Sequence, residues 1–206
     1  MSATPAATAT RPRPGRPPSG ARERILEGAL EVLKRDGYAG LTTAKVAAAS
    51  GENKALIAYH FGSKQGLVAA AASLVAETLT AEVLEAIGEP STADDLVRGL
   101  TAGVWRVMER NPGIQRVYFD LTSQSVVKPE VERIMSEMKS DFRAILTGLL
   151  RRISDGPPEP DVAAAAIYLI AGVEGLSLER LDRGDTPELR RARALFERTA
   201  AAAIGG

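Results

Sequence analysis

The sequence predicts an all-α protein of about nine helices, with a small three-helix head ahead of a larger helical body. Three observations predict it. Apolar residues recur at helical spacing through almost the whole chain, and no stretch alternates as a strand would. Glycines, prolines and capping residues divide that pattern into helix-sized pieces. One phrase, Thr42–Leu67, reads as two short helices meeting at a tight turn, followed at once by a third helical start.

The elements follow in order. Residues 1–18 are rich in Ala, Thr, Pro and Arg, and the composition predicts a disordered basic arm. Ser19 or Gly20 opens the first helix, with Ile25, Leu26, Ala29, Leu30 and Leu33 on one face and Gly37 as its stop. The second helix begins near Thr42 and ends at Ser50–Gly51, where glycine supplies the positive φ of the turn. Val46 and Ala47 lie a turn earlier, and the small Ala47 lets the third helix cross closely above it. Asn53 can cap that third helix, Ile57 falls on its inner face, and Ser63 can cap the fourth.

The fourth helix carries Leu67, Ala71, Leu74, Val75 and Leu79 on one face and ends by Gly88–Pro90. Thr92 with Asp95 reads as a capping box for a fifth helix that stops at Asn111, before Pro112. A sixth covers about Gly113–Ser123. A long seventh starts at Pro129, has Glu130 and Glu132 in its first turn, and ends at Arg151–Arg152. After a loop over Asp155–Pro160, the eighth spans about Asp161–Leu181. Thr186-Pro187-Glu188 starts the ninth, which reaches about Ala203. This divides the chain into an arm (1–18), a head (19–66) and a body (67–206).

Composition narrows the function classes. The chain of 206 residues has 45% hydrophobic residues, no cysteine and one histidine. That excludes a disulfide framework, a thiolate metal site and a multi-histidine metal centre, and no cofactor is expected. A nucleophile–His–acid set would have to use His60, which lies in the head, and no phosphate-binding glycine loop is present; an enzyme is not expected. No signal-peptide core stands at the start, no apolar run reads as long enough to span a bilayer, and the expected compartment is the cytoplasm. The net charge of zero conceals an asymmetry. Residues 1–66 hold ten Lys/Arg against five Asp/Glu, a net +5; the remainder holds sixteen against twenty-one, a net −5. A basic head on an acidic body is the electrostatic footprint of a module that meets phosphates, joined to a domain that avoids them.

The phrase also resembles the TetR family of bacterial transcriptional regulators. Thr43, Ala47, Gly51, Ile57, Tyr59, His60, Phe61, Ser63, Lys64 and Leu67 carry the resemblance, which covers about residues 22–74. There are departures. Glu52 replaces the usual apolar residue after the turn glycine, Ala58 stands where many members have tyrosine, and Gln65 replaces a common glutamate. The Ala58 difference removes one phosphate contact.

The head's chemistry can be assigned residue by residue. Thr42 and Thr43, at a helix N-terminus, can hold a phosphate or simply cap the helix. Asn53 can pair with adenine or only cap, and Lys54 can pair with guanine. Ala55 and Leu56 could press on a thymine methyl. The resemblance implies that Tyr59 and Lys64 reach the DNA backbone. His60 is either a polar contact near DNA or a packing residue. In the arm, Arg11, Arg13 and Arg16 are interleaved with proline and glycine, a composition that can enter an A·T minor groove or serve as a solubilising tail.

In the body, Trp105, Met108, Tyr118, Phe119, Met135, Met138 and Phe142 are large or adaptable apolar residues suited to a pocket between helices or to ordinary core. The resemblance implies a cavity for a small-molecule effector. It also implies that the last two helices pair across a twofold axis as a four-helix bundle, which makes Gly172, Gly175, Leu189, Ala192, Leu195, Phe196 and Thr199 candidates for a homodimer seam. Glu174 sits in an apolar run and can be an interface charge, a ligand contact or a solvent-facing residue. The resemblance thus implies a homodimeric repressor that binds a palindromic double-stranded operator and is released by a largely apolar ligand; the alternative is a DNA-binding protein controlled by a protein partner or by none.

Overall fold

The computed structural model describes residues 20–159 and 161–205, and among them it contains helices and no strand. The helices are α1 (Ala21–Gly40), α2 (Thr43–Ser50), α3 (Lys54–Phe61), α4 (Lys64–Ile87), α5 (Ala93–Arg110), α6 (Pro112–Ser125), α7 (Pro129–Leu150), α8 (Val162–Arg183) and α9 (Pro187–Ile204). Each expected helix is present, with ends shifted by a few residues.

The caps explain the starts. Thr42 Oγ1 accepts from the Lys45 N–H at 3.2 Å, Asn53 Oδ1 from Leu56 at 2.9 Å, and Ser63 Oγ from Gly66 at 3.0 Å. Thr92 and Asp95 form the reciprocal capping box of α5, and Thr186 Oγ1 accepts from Leu189 at 3.1 Å. Each such cap contributes about 1 kcal/mol.

Gly37 ends the regular part of α1, with φ 68° and ψ −178° inside the assigned helix. That left-handed residue swings the chain so that the Tyr38 N–H leaves the helical ladder and donates to Asp120 Oδ2 on α6 at 2.6 Å.

Two apolar clusters form the core. The first joins Ile25, Val32, Val46 and Ile57 of the head to Leu67, Val117, Leu121 and Met135 of the body. The second lies between the far half of α4 and α5, α7, α8 and α9, around Leu96, Leu100, Leu146, Leu150 and Leu169. Each fully buried aliphatic side chain contributes about 1.5–3 kcal/mol. The division expected near residue 66 falls in the first turn of α4, which continues unbroken from the head's cluster into the body's.

The expectation about apolar runs needs correction. Both α4 and α8 are long and apolar enough to cross a membrane by length and composition, with mean hydropathy 1.6 and 1.5. Their alanine-rich sequences raise the mean. Helix α4 needs such residues because it packs into both clusters, and α8 because it carries an exposed apolar face described below.

Candidate nucleic-acid interface and effector cavity

The head presents one exposed surface built from α2 and α3. Val46 and Ile57 turn inward and are buried, so the remaining positions of two short helices must face out. Thr42, Asn53, Lys54, Ala55 and Tyr59 are exposed, Tyr59 at 70%. Lys54, Ala55, Ala58 and Tyr59 share the outer face of α3, and Lys54 has no ion-pair partner among the described residues. An exposed N-terminal end is what a reading helix needs if its first residues are to reach base edges.

Other expected contacts are placed differently. Thr43 is half-buried at the start of α2. Leu56 is half-buried and packs on the head's core, so much of its side chain is turned from the outer face. His60 is also half-buried, edge-on to the rings of Tyr59 and Phe61, with its Nε2 buried and unpartnered. Its setting is that of a packing residue. Lys64 holds its Nζ 5.1 Å from the centre of the Tyr38 ring, with Lys128 at 5.3 Å from the same ring. Arg11, Arg13 and Arg16 lie outside the described residues.

The structure adds contacts that the spacing did not reveal. Glu52 Oε1 accepts from Arg24 at 2.9 and 2.6 Å, so the unusual acid after the turn glycine ties α2–α3 to α1. Lys45 projects from the first turn of α2 and is held by Asp36 at 2.8 Å. Hydrogen bonds from Arg35 and Lys45 hold the Asp36 carboxyl well below the usual carboxylate range.

In the body, α4, α5, α6, α7 and α8 line a half-open cavity of about 240 Å³. Tyr118, Met138 and Phe142 line it as expected. The other four candidates do not. Trp105 faces α8 and α9 instead, buried between the guanidinium groups of Arg180 and Arg193 at 5.3 and 4.8 Å from its ring centre. The α5 residues that reach the cavity are Leu100 and Val104. Met108 is buried a turn beyond Val104. Met135 is buried in the head-side cluster, and Phe119 packs edge-on against Tyr118 and on that same cluster. Size alone selected these four; helix phase sends them elsewhere.

Polar groups in the wall were mostly missed. Tyr118 Oη donates a short hydrogen bond to Glu174 Oε1. Burial and the neighbouring Glu174 charge raise the Tyr118 phenol far above its usual range. Gln115 is 4% exposed, and its Oε1 has no hydrogen-bond partner. Lys139 and Arg143 of α7 also line the cavity. A sequence signal existed: Ile170, Val173, Glu174 and Ser177 follow i, i+3, i+4, i+7 spacing, and Gln115 and Tyr118 are three apart.

Helices α8 and α9 carry an apolar stripe on their outer sides. Ile167, Tyr168, Leu178 and Leu195 are exposed at 51%, 43%, 54% and 54%. A side chain at Gly175 would meet open space, and Ala192 and Thr199 are exposed beside Leu195. Three other seam candidates point into their own chain. Gly172 lies directly against Phe196, Leu189 is buried, and Phe196 packs on the body's core. Close packing of α8 on α9 within one chain accounts for Gly172 and Phe196.

Comparison with known proteins gives concordant matches. Residues 25–71 match the family model described as bacterial regulatory proteins, tetR family, and residues 93–205 that of the BetI-type transcriptional repressor, C-terminal. The nucleoid occlusion factor SlmA of Vibrio cholerae serotype O1 is 29% identical over 171 residues, covering 80% of this chain and 85% of that protein. The HTH-type transcriptional regulator BetI of Stenotrophomonas maltophilia is 25% identical over 161 residues, covering 76% and 79%. The fold is shared with a putative TetR-family transcriptional regulator from Rhodococcus sp., at TM-score 0.76 and 20% identity over 91% of this chain and 100% of that one.

Proposed function

The chain belongs to the TetR family of bacterial regulatory proteins, a DNA-binding transcriptional regulator and not an enzyme, and we propose that it acts as a homodimeric repressor whose grip on a palindromic operator is released by a small, largely apolar ligand. Its work then lies on cytoplasmic DNA. The carrying observation is the position of α6. On one side its Gln115 and Tyr118 line the cavity, and on another its Asp120 holds the end of α1. A ligand that displaces α6 would therefore act on the helix that frames the head.

Dimerisation is supported by the unpartnered apolar stripe on α8 and α9, where an equivalent stripe of a second copy would bury Ile167, Leu178 and Leu195. Two heads on one dimer would then meet successive major grooves of a twofold-symmetric site. The ligand can change operator affinity only through its preference between the two states of the dimer.

The test has three steps on the full chain. Selection from random DNA should yield a palindromic site. Sedimentation should give a dimer at micromolar concentration. A metabolite library should contain compounds that lower operator affinity. A monomer that still binds a single half-site at full affinity would remove the twofold reading.

A second reading, DNA binding governed by a protein partner or by none, draws on Val126 and Val127, exposed at 83% and 72% in the turn between α6 and α7. The relatives called nucleoid occlusion factors keep it in view. Operator affinity that no small molecule changes, with a cavity that binds none, favours that reading.

A further inference from the structure

We propose that the cavity takes a primary amine, in its protonated ammonium form, carried on an apolar body; this deepens, and rests on, the regulatory reading above. Most of the wall is apolar, including Leu79, Val83, Leu100, Val104 and Phe142. Three of the polar exceptions, Glu174, Gln115 and Ser177, have acceptors to spare. Glu174 Oε1 accepts from Tyr118, which leaves Oε2 free, and no Lys or Arg pairs with this carboxylate among the described residues. Gln115 Oε1 is buried without any donor. Ser177 spends its hydroxyl proton on the Val173 carbonyl at 2.7 Å, so its oxygen can only accept.

A buried acceptor without a donor costs free energy, and a half-buried carboxylate that no cation bonds directly gains from one placed beside it. A primary ammonium carries three donors and one positive charge and removes both deficits. A quaternary ammonium supplies the charge but no donor, and would leave Gln115 as it is. A carboxylate ligand would add a second negative charge beside Glu174.

Lys139 and Arg143 oppose a cation, but Arg143 is exposed, and Lys139 stands 5.8 Å from the Tyr118 ring centre on a flexible stem. An ammonium on Glu174 Oε2 would sit within hydrogen-bond distance of the carboxylate, whereas neither Lys139 nor Arg143 forms an ion pair with it among the described residues, so the closer attraction outweighs the more distant repulsion.

The experiment is calorimetric titration of the full chain with n-octylammonium, octyltrimethylammonium, octanoate and octan-1-ol, which share one apolar body. Octylammonium should bind most tightly. Glu174→Gln should weaken it about tenfold or more, since an ionic hydrogen bond is lost while the shape is kept. Gln115→Leu should weaken octylammonium while leaving octan-1-ol unchanged or tighter. The double variant Lys139→Met, Arg143→Met should bind octylammonium as well as the parent or better. Thermal midpoints matching the parent's establish that each variant is folded.

Octanoate as the tightest probe, lost in the Lys139/Arg143 variant, overturns the amine and leaves a ligand-controlled repressor standing. Equal affinity for octylammonium and octan-1-ol, unaffected by Glu174→Gln, overturns it as well. Octylammonium that binds as expected but leaves operator affinity unchanged upholds the amine site and sinks the release reading. Binding by none of the four overturns both.

Discussion

The backbone N–H of Tyr38 donates to Asp120 Oδ2 at 2.6 Å, joining the end of α1 to α6 across 82 residues of sequence. The bond exists because Gly37 takes a positive φ, and a side chain there would stand 3.1 Å from that same carboxylate oxygen. Asp120→Ala should destabilise the protein by about 1–3 kcal/mol, the cost of a partly buried donor left alone. Denaturant unfolding gives the number. Amide exchange at Tyr38 should accelerate in the variant, and unchanged exchange would mean that the bond does not hold α1.

Lys54→Ala should weaken operator binding by about 1–3 kcal/mol, with a much smaller loss on random DNA in the same salt, if Lys54 reads a base. Its exposure at the start of α3, free of any ion pair among the described residues, motivates this. Equal losses on both DNAs would make Lys54 a phosphate contact, and no loss would take it out of the interface.

The two glycines of α8 should behave oppositely. Gly172→Leu drives a side chain into Phe196 and should destabilise the protomer by about 1–3 kcal/mol through overpacking. Gly175→Leu meets open space and should leave the protomer's fold intact while disturbing the proposed seam. Leu195→Glu, on the neighbouring exposed stripe, should give folded monomers by sedimentation, with weakened operator binding. A Leu195→Glu protein that remains dimeric would move the seam away from α9.

Tyr118 should retain its proton when ordinary tyrosines lose theirs. Burial first, and then the Glu174 charge, raise its folded value above the 10.0 of a free phenol. A group raised on folding binds more protons in the native state. Its contribution is therefore fully present below pH 10 and is lost as pH rises above that value. Unfolding free energy should fall more steeply above about pH 10 in the parent than in Tyr118→Phe. Parallel curves would show that this phenol is not held protonated.

Much of this was legible from order along the chain. Thr42, Asn53, Ser63, Thr92 and Thr186 cap their helices through bonds that reach three residues ahead, and Gly51 turns its corner by its own φ. Such effects are local, so residue type and spacing carry them. The same holds for the inward Val46 and Ile57, because a two-turn helix has few ways to bury an apolar residue.

Local residue order sets the helices, their caps, the basic head and the resemblance carried by the head's phrase. Tertiary structure alone decided what each long helix faces. Trp105 and Leu100 share α5, yet one is clasped by Arg180 and Arg193 while the other lines the cavity. Gly172 and Gly175 share α8, yet one meets Phe196 and the other open space. Size and polarity do not distinguish such residues. The neighbour is supplied by another helix, tens of residues away, and its position depends on how all the helices pack at once.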